Sequence, residues 1–422
     1  MITRLLFLAA LLHATMSLAE DGYNGYSLEQ ANAFRQQWTI ENWDDGGPLT
    51  RYVFLNMSEF WNHSVIDRGG PSLELSKAPR SEVADFVTTT NSKKMTLAEY
   101  AKDPRVDGVL ILHKGQIVFE AYPRMLETDK HLYMSVSKTF VATLIAILED
   151  KGEIDIGKPI DSYLPKLTGS GWEGVPVIDV LDMASGIGCL EIEEEALSNP
   201  EYCYYQYEAS LGWLPRTEAT MDSTFDYVAS LKSHRPSGEA FEYTSTNTFV
   251  LGWLAEEIYG QSLSDVIATE IWQKIGAESD GILSAPIHGV PIVSGGISST
   301  LRDMARFGLL FTPTGRNGMH SVVSDAYLKK IQNGGRPEIF DAARRDNPGT
   351  VDGESPRHNT YQWDMVMEDG DFFKSGYGGQ GLYVSPSRDL VIAFFGTLDE
   401  DGVSNEMTEV SRQLAKSGLF DQ

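Results

Sequence analysis

The stretch 131–150, HLYMSVSKTFVATLIAILED, constrains this chain more than any other. Val141, Leu144, Ile145 and Leu148 recur at i, i+3, i+4 and i+7, the spacing of one apolar stripe on a helix. Lys151-Gly152 follows, a basic residue and then a glycine, which is a common helix stop. At the opening of this helix stands Ser135-Val136-Ser137-Lys138. Residues three apart share a helical face, so the Ser135 hydroxyl and the Lys138 amine can meet. Unpaired N–H groups at a helix N-terminus add positive potential, which favours an oxyanion and a lowered lysine pKa. An amine that holds no proton can take one from serine, making Ser135 a candidate nucleophile. About one Ser-x-x-Lys arises by chance in a chain of 422 residues, so the tetrad alone decides nothing.

The flanks of this helix set the architecture. Residues 106–122 alternate as a hairpin around Lys114-Gly115, and residues 361–368, 371–375, 381–385 and 389–396 read as four further strands. Residues 406–414 form a closing amphipathic helix. Between these ends the texture changes to turns and helices. Helices are expected at 177–184, at 248–259 stopped by Gly260, at 264–275 stopped by Gly276, and at 300–311. Arg302 and Asp303 read as an ion pair at the start of the last one. The fold class is therefore α/β (α+β): an antiparallel sheet shared by both ends and flanked by helices, plus a mainly helical subdomain. The sheet subdomain is placed at about 20–152 and 280–422, and the helical one at about 153–279.

The N-terminus reads as a secretory signal. Met1-Ile2-Thr3-Arg4 is a basic n-region, residues 5–12 are an unbroken apolar run, and Ser17-Leu18-Ala19 places small residues for cleavage after Ala19. The apolar run is too short to span a bilayer, so no stable membrane anchor is expected and residues 20–422 should be periplasmic or secreted. The net charge of −26 opposes binding to nucleic acid and to anionic membranes. In an oxidising compartment the two cysteines, Cys189 and Cys203, are a candidate disulfide; the alternative is two buried thiols. Two cysteines and scattered histidines give no metal-site spacing, and no cofactor is implied. Nothing in the sequence sets an oligomeric state.

Three further stretches give the tetrad company. Residues 189–213, CLEIEEEALSNPEYCYYQYEASLGW, are long for a loop and read as an ordered lid. Its aromatics, among them Tyr204, Tyr207 and Trp213, should pack the lid, with lining of a pocket mouth as the alternative, and its acidic run 191–195 reads as a solvated face. Glu242-Tyr243-Thr244-Ser245 falls in a loop before the 248–259 helix, where a tyrosine can relay a proton to a leaving group. Phe373-Lys374-Ser375-Gly376-Tyr377-Gly378-Gly379 is a strand running into glycines, a way to bring backbone N–H groups close to a substrate carbonyl.

The order Ser-x-x-Lys, Tyr-x-Ser, Lys-Ser-Gly resembles the serine β-lactamase and penicillin-binding-protein superfamily. Within it the chain is most similar to the 6-aminohexanoate-dimer hydrolase branch of β-lactamase-fold esterases and amidases. The resemblance spans about 106–397 and rests on LYMSVSKTF, YLPKLTGSGWEGVPVIDVLDMASGI, FEYTSTNTFVLGWLAEEIYG, SGGISSTLRDMARFG and GYGGQGLYVSP. It implies Ser135 as the acylated nucleophile, Lys138 as its base, Tyr243 as the acid-base partner, and backbone N–H groups of Ser135 and Tyr377 as the oxyanion hole. It also implies that Ser245, Lys374, Ser375 and Gly376 bind substrate, a small ester or amide. Ser245 stands where β-lactamases and transpeptidases usually carry asparagine, which favours the esterase and amidase side. Lys374 either binds a substrate carboxylate or is an exposed strand lysine. Two alternatives remain: a D,D-peptidase or β-lactamase, and a non-catalytic ligand-binding module on the same fold.

Overall fold

The computed structural model describes residues 23–318, 322–343 and 349–421; the expected signal segment lies outside them. Its main sheet has seven strands, in the order Gln116–Ala121, Val106–His113, Leu390–Gly396, Gln380–Ser385, Phe372–Gly376, Trp363–Val366 and His358–Thr360. Every pairing is antiparallel. Val106–His113 against Leu390–Gly396 joins the early hairpin to the late strands, as the sequence suggests. Both strands are buried on both faces, which explains their nearly unbroken apolar runs.

The two-residue period sorts these side chains into two cores. Val109, Ile111, Ile392 and Phe394 pack with Val410 and Leu414 of the closing helix Met407–Ala415. Leu110, Leu112, Val391 and Ala393 join the larger core, which contains the Lys138–Asp150 and Leu301–Leu309 helices. Phe140 stacks on Phe307 with ring centroids 3.8 Å apart, locking those two helices together. The Lys138–Asp150 helix is buried from Lys138 to Leu148, so the apolar stripe read from the sequence understates it. A helix apolar all round belongs in the middle of a domain.

Several boundaries differ from the sequence reading. Ser135 does not open the α-helix: it lies in a 3-10 turn, Met134–Ser137, and the α-helix starts at Lys138. The supposed lid is half helix. Cys203–Leu211 is helical and buried from Tyr204 to Leu211, because its tyrosines pack inward; only the stretch before it is loop. The third helix of the site spans Ser245–Tyr259, with Thr244 as its N-cap, three residues earlier than expected. Its first turn is Ser-Thr-Asn, polar residues that hide a helix start from apolar periodicity. A further helix, Gly47–Leu55, opens with Pro48 in its first turn. Arg302 pairs with Glu120 and Glu127 across the fold, while Asp303 pairs with Arg306, so the two do not pair with each other.

A second, four-stranded sheet was not legible in the sequence. It runs His63–Ile66, Gly281–Ser284, Ile297–Ser299, His131–Leu132, with strands of two to four residues. His131–Leu132 pairs with Ile297–Ser299 and delivers the chain directly to the Ser135 turn.

Candidate active site

Ser135 and Lys138 meet because a 3-10 turn places side chains three apart nearly in register. Lys138 Nζ donates to Ser135 Oγ at 3.0 Å. The residue before the serine, Met134, has φ +48°, a left-handed conformation that costs a non-glycine residue about 1–3 kcal/mol and recurs at functional sites. Two more oxygens surround the amine: Ser245 Oγ at 2.8 Å and the Ser294 carbonyl at 3.1 Å. Lys138 is 1% exposed. Burial pushes its pKa down to about 8, helped by the nearby Lys374 cation and opposed by Glu191, Glu208 and Asp364. A lysine near 8 supplies neutral amine at mild pH, as a base for serine requires.

Tyr243 lies two residues before the Ser245–Tyr259 helix. Its hydroxyl accepts from Lys374 Nζ at 2.9 Å, and both Lys138 and Lys374 lie over its ring. Burial raises the phenol well above its ordinary value, with Asp364 and Glu191 adding to the rise and a hydrogen bond with Ser135 opposing it. Tyr243 therefore holds its proton and stands where it can pass one between Ser135 and a leaving group.

Ser137, within the tetrad, is buried and its Oγ accepts from the Ile297 backbone N–H at 3.2 Å. The Lys374 strand approaches from within the main sheet. A Cβ on Gly376 would lie 2.4 Å from the Tyr133 carbonyl, so only glycine lets this strand reach the segment leading into Ser135. Tyr377, the next residue, shares a cleft with Ser135, Lys138, Ser245, Trp43 and Trp213. The cleft holds about 440 Å³, room for a small substrate. Its walls also carry Asp44, Glu191 and Glu208. Burial raises Asp44 to about 6 and Glu208 to about 7. Tyr204 donates to Glu208 Oε1 at 2.8 Å, while Oε2 is buried with no partner among the described residues.

Of the residues expected to bind substrate, Ser245 lines the cleft and Lys374 and Ser375 are engaged elsewhere. The register that pairs Met365 with Phe373 puts Asp364 across from Lys374. Lys374 is 0% exposed and ion-paired to Asp364, so it is neither an exposed strand lysine nor a free carboxylate receptor. Ser375 donates its N–H and hydroxyl to Asp364 Oδ2 at 2.8 and 2.6 Å. Gly376 serves the close approach to Tyr133. Asp364 left no sequence signal beyond its place in a strand, nor did Ser294.

Glu191 corrects the reading of 191–195 as a solvated face. Glu193, Glu194 and Glu195 are exposed, yet Glu191 turns inward and its Oε2 accepts from Ser245 N at 2.7 Å and Ser245 Oγ at 2.6 Å. Cys189, two residues earlier, is bridged to Cys203, with Cα atoms 5.6 Å apart. Thr244 Oγ1 also donates to the Cys189 carbonyl at 2.6 Å. The bridged loop is thus tied to the tyrosine segment just where Glu191 enters the cleft.

Among the described residues, no group of three or more His, Cys, Asp or Glu is placed to hold a metal ion, and no helix is long and apolar enough to cross a membrane. An antiparallel sheet edged by a Ser-Lys pair, a buried tyrosine and a glycine-ended strand defines a hydrolase architecture of the esterase, amidase and β-lactamase type. A model of the beta-lactamase family matches residues 96–416, and the chain belongs to that family. The 6-aminohexanoate-dimer hydrolase of Paenarthrobacter ureafaciens is 28% identical over 355 residues, covering 84% of this chain and 86% of its own length. A solved Bacillus anthracis protein, provisionally named a 6-aminohexanoate-dimer hydrolase, superimposes with TM-score 0.78 at 25% identity, covering 91% of this chain and 96% of that one. A hydrolase with promiscuous acyltransferase activity shares the fold at TM-score 0.58 and 14% identity, over 75% of this chain and 96% of its own.

Proposed function

We propose that this protein is an exported serine hydrolase that cleaves small esters or amides through a Ser135 acyl-enzyme. The observation that carries this reading is the buried Lys138 amine, 3.0 Å from Ser135 Oγ and with its pKa pushed down to about 8. Neutral Lys138 takes the Ser135 proton as the oxygen attacks the substrate carbonyl. The oxyanion is held by the backbone N–H groups of Ser135 and Tyr377, the latter brought close by Gly376. Tyr243, protonated and beside Ser135, delivers a proton to the leaving alcohol or amine, and water then releases the acyl group by the reverse proton path. Lys374 holds the Tyr243 hydroxyl in place and adds positive charge near it. Ser245 helps hold the Lys138 amine.

The 6-aminohexanoate dimer for which the Paenarthrobacter relative is named carries an ammonium at one end. The carboxylates of Asp44, Glu191 and Glu208 in the cleft suit an acyl group of that kind and disfavour an anionic one. The signal segment, cleaved after Ala19, is the basis for export to the periplasm or beyond. The decisive experiment sets wild type against Ser135→Ala on short p-nitrophenyl acyl esters, linear amides and D-Ala-D-Ala peptides, with a fluorophosphonate label in parallel. Turnover and labelling that vanish in Ser135→Ala support the reading, and labelling that persists overturns it. A long-lived adduct with fluorescent penicillin would shift the assignment to a penicillin-recognising enzyme, a reading favoured by the match to the Escherichia coli β-lactamase, 26% identical over 41% of this chain.

A further inference from the structure

We propose that Glu191 is a positioning residue of the reaction, fixing the Ser245 hydroxyl so that the lone pair of neutral Lys138 faces Ser135. The inference rests on the acyl-enzyme reading above and concerns a residue that takes no part in its proton transfers.

The argument is one of donors and acceptors. A carboxylate only accepts, and Glu191 Oε2 lies 2.6 Å from Ser245 Oγ and 2.7 Å from Ser245 N. The Ser245 hydroxyl proton therefore points at Glu191, and Ser245 Oγ can meet Lys138 Nζ, 2.8 Å away, only as an acceptor. The Ser294 carbonyl, at 3.1 Å, is also an acceptor only. A neutral amine has two N–H bonds and one lone pair. With both N–H bonds drawn to Ser245 Oγ and Ser294 O, the lone pair is left for the remaining neighbour, Ser135 Oγ, which has a proton to give. Without Glu191 the Ser245 hydroxyl is free to rotate and donate to Lys138 itself. That arrangement turns the lone pair away from the nucleophile.

The charge of Glu191 has a second, separable effect. Lys138 is faced by Lys374 and Asp364 from the main sheet, by Glu208 from the Cys203–Leu211 helix, by the Tyr243 ring and by Glu191 from the bridged loop. Among these Glu191 is the foremost influence holding the lysine up against burial. Glu191 in turn faces Tyr204, Tyr207, Glu208 and Tyr243. The Cys189–Cys203 bridge and the Thr244 bond to the Cys189 carbonyl hold the start of the loop that carries it.

The test follows the rate of fluorophosphonate labelling at Ser135 against pH, which needs no knowledge of the natural substrate. Wild type, Glu191→Ala, Ser245→Ala and the double variant are compared, each after a thermal melt shows it folded. Glu191→Ala, which removes the acceptor as well as the charge, should slow labelling on the alkaline plateau about tenfold, since a misaimed base loses a near-attack geometry. It should also move the acidic limb to lower pH by about half a unit or more, since a charge that raises Lys138 is gone. In the Ser245→Ala background the same change should no longer slow the plateau, because the route through Ser245 is absent. Glu191→Asp, which keeps the charge and withdraws it from Ser245, should slow the plateau with the limb in place. An unmoved limb in Glu191→Ala, or equal slowing in both backgrounds, overturns the inference while leaving Ser135 chemistry intact. Wild type that labels elsewhere than Ser135 overturns the mechanism and this inference together.

Discussion

Lys138 and Lys374 are 1% and 0% exposed, and both lie against the Tyr243 ring, 5.1 and 4.6 Å from its centroid. Burial is therefore not what separates them. Lys374 faces the carboxylate of Asp364 across the sheet and forms an ion pair. The three hydrogen-bond partners of Lys138 are neutral oxygens, from Ser135, Ser245 and Ser294. A buried ammonium without a contacting carboxylate pays desolvation with little return, so its proton is loosened. The lesson is that one residue type, equally buried, becomes a base or a fixed cation according to what stands within hydrogen-bond reach.

Each side of the comparison can be broken separately. The largest effect is expected from Lys138→Ala, which should lower kcat/KM on a p-nitrophenyl ester by about 10⁴-fold or more. Adding Ser135→Ala should cost little further, because base and nucleophile act as one unit. Asp364→Asn attacks the other side, leaving Lys374 buried without its carboxylate. It should lower unfolding free energy in urea by about 3–5 kcal/mol. It should also move the acidic limb of activity downward, since Asp364 raises Lys138. The joint Cys189→Ser, Cys203→Ser variant frees a loop with a sequence separation of 14 and should cost about 3 kcal/mol in the same assay. Tyr243→Phe keeps the ring on which both lysines rest and removes the hydroxyl, so kcat should fall about a hundredfold with stability little changed. The smallest change sharpens the comparison rather than breaking it. Lys138 acts neutral and its pKa is lowered to about 8, so kcat/KM in wild type should be full above that pH and fall tenfold per unit below it. A limb near the reference value of about 10.4 would show Lys138 to be as solvated as a surface lysine.

Legibility in the sequence followed the strength of local signals. The hairpin of Val106–His113 and Gln116–Ala121 and the late strands were readable because glycine or turn residues punctuate apolar runs. The four-stranded sheet was not, since strands of two to four residues carry no period. The Cys203–Leu211 helix was hidden for a different reason: a helix lined with tyrosines and buried nearly all round lacks a polar face to set its period. Glu191 stood first in an acidic run, and nothing local distinguishes the one that turns inward from the exposed ones that follow.

What the sequence determined by itself was the reacting pair and the order of its companions. Ser135 and Lys138 are three apart in one turn, so their meeting depends on backbone geometry alone, and Tyr243 and the Lys374 strand follow in motifs short enough to read. Only the tertiary structure decided how each group is tuned. That Lys374 pairs with Asp364, that Ser294 and Ser245 hold the Lys138 amine, and that Glu191 reaches Ser245 from a bridged loop are contacts between residues 10 to 156 positions apart. Electrostatic tuning falls off over a few ångströms of space rather than along the chain, so the pairing of strands and the closing of loops had to set it.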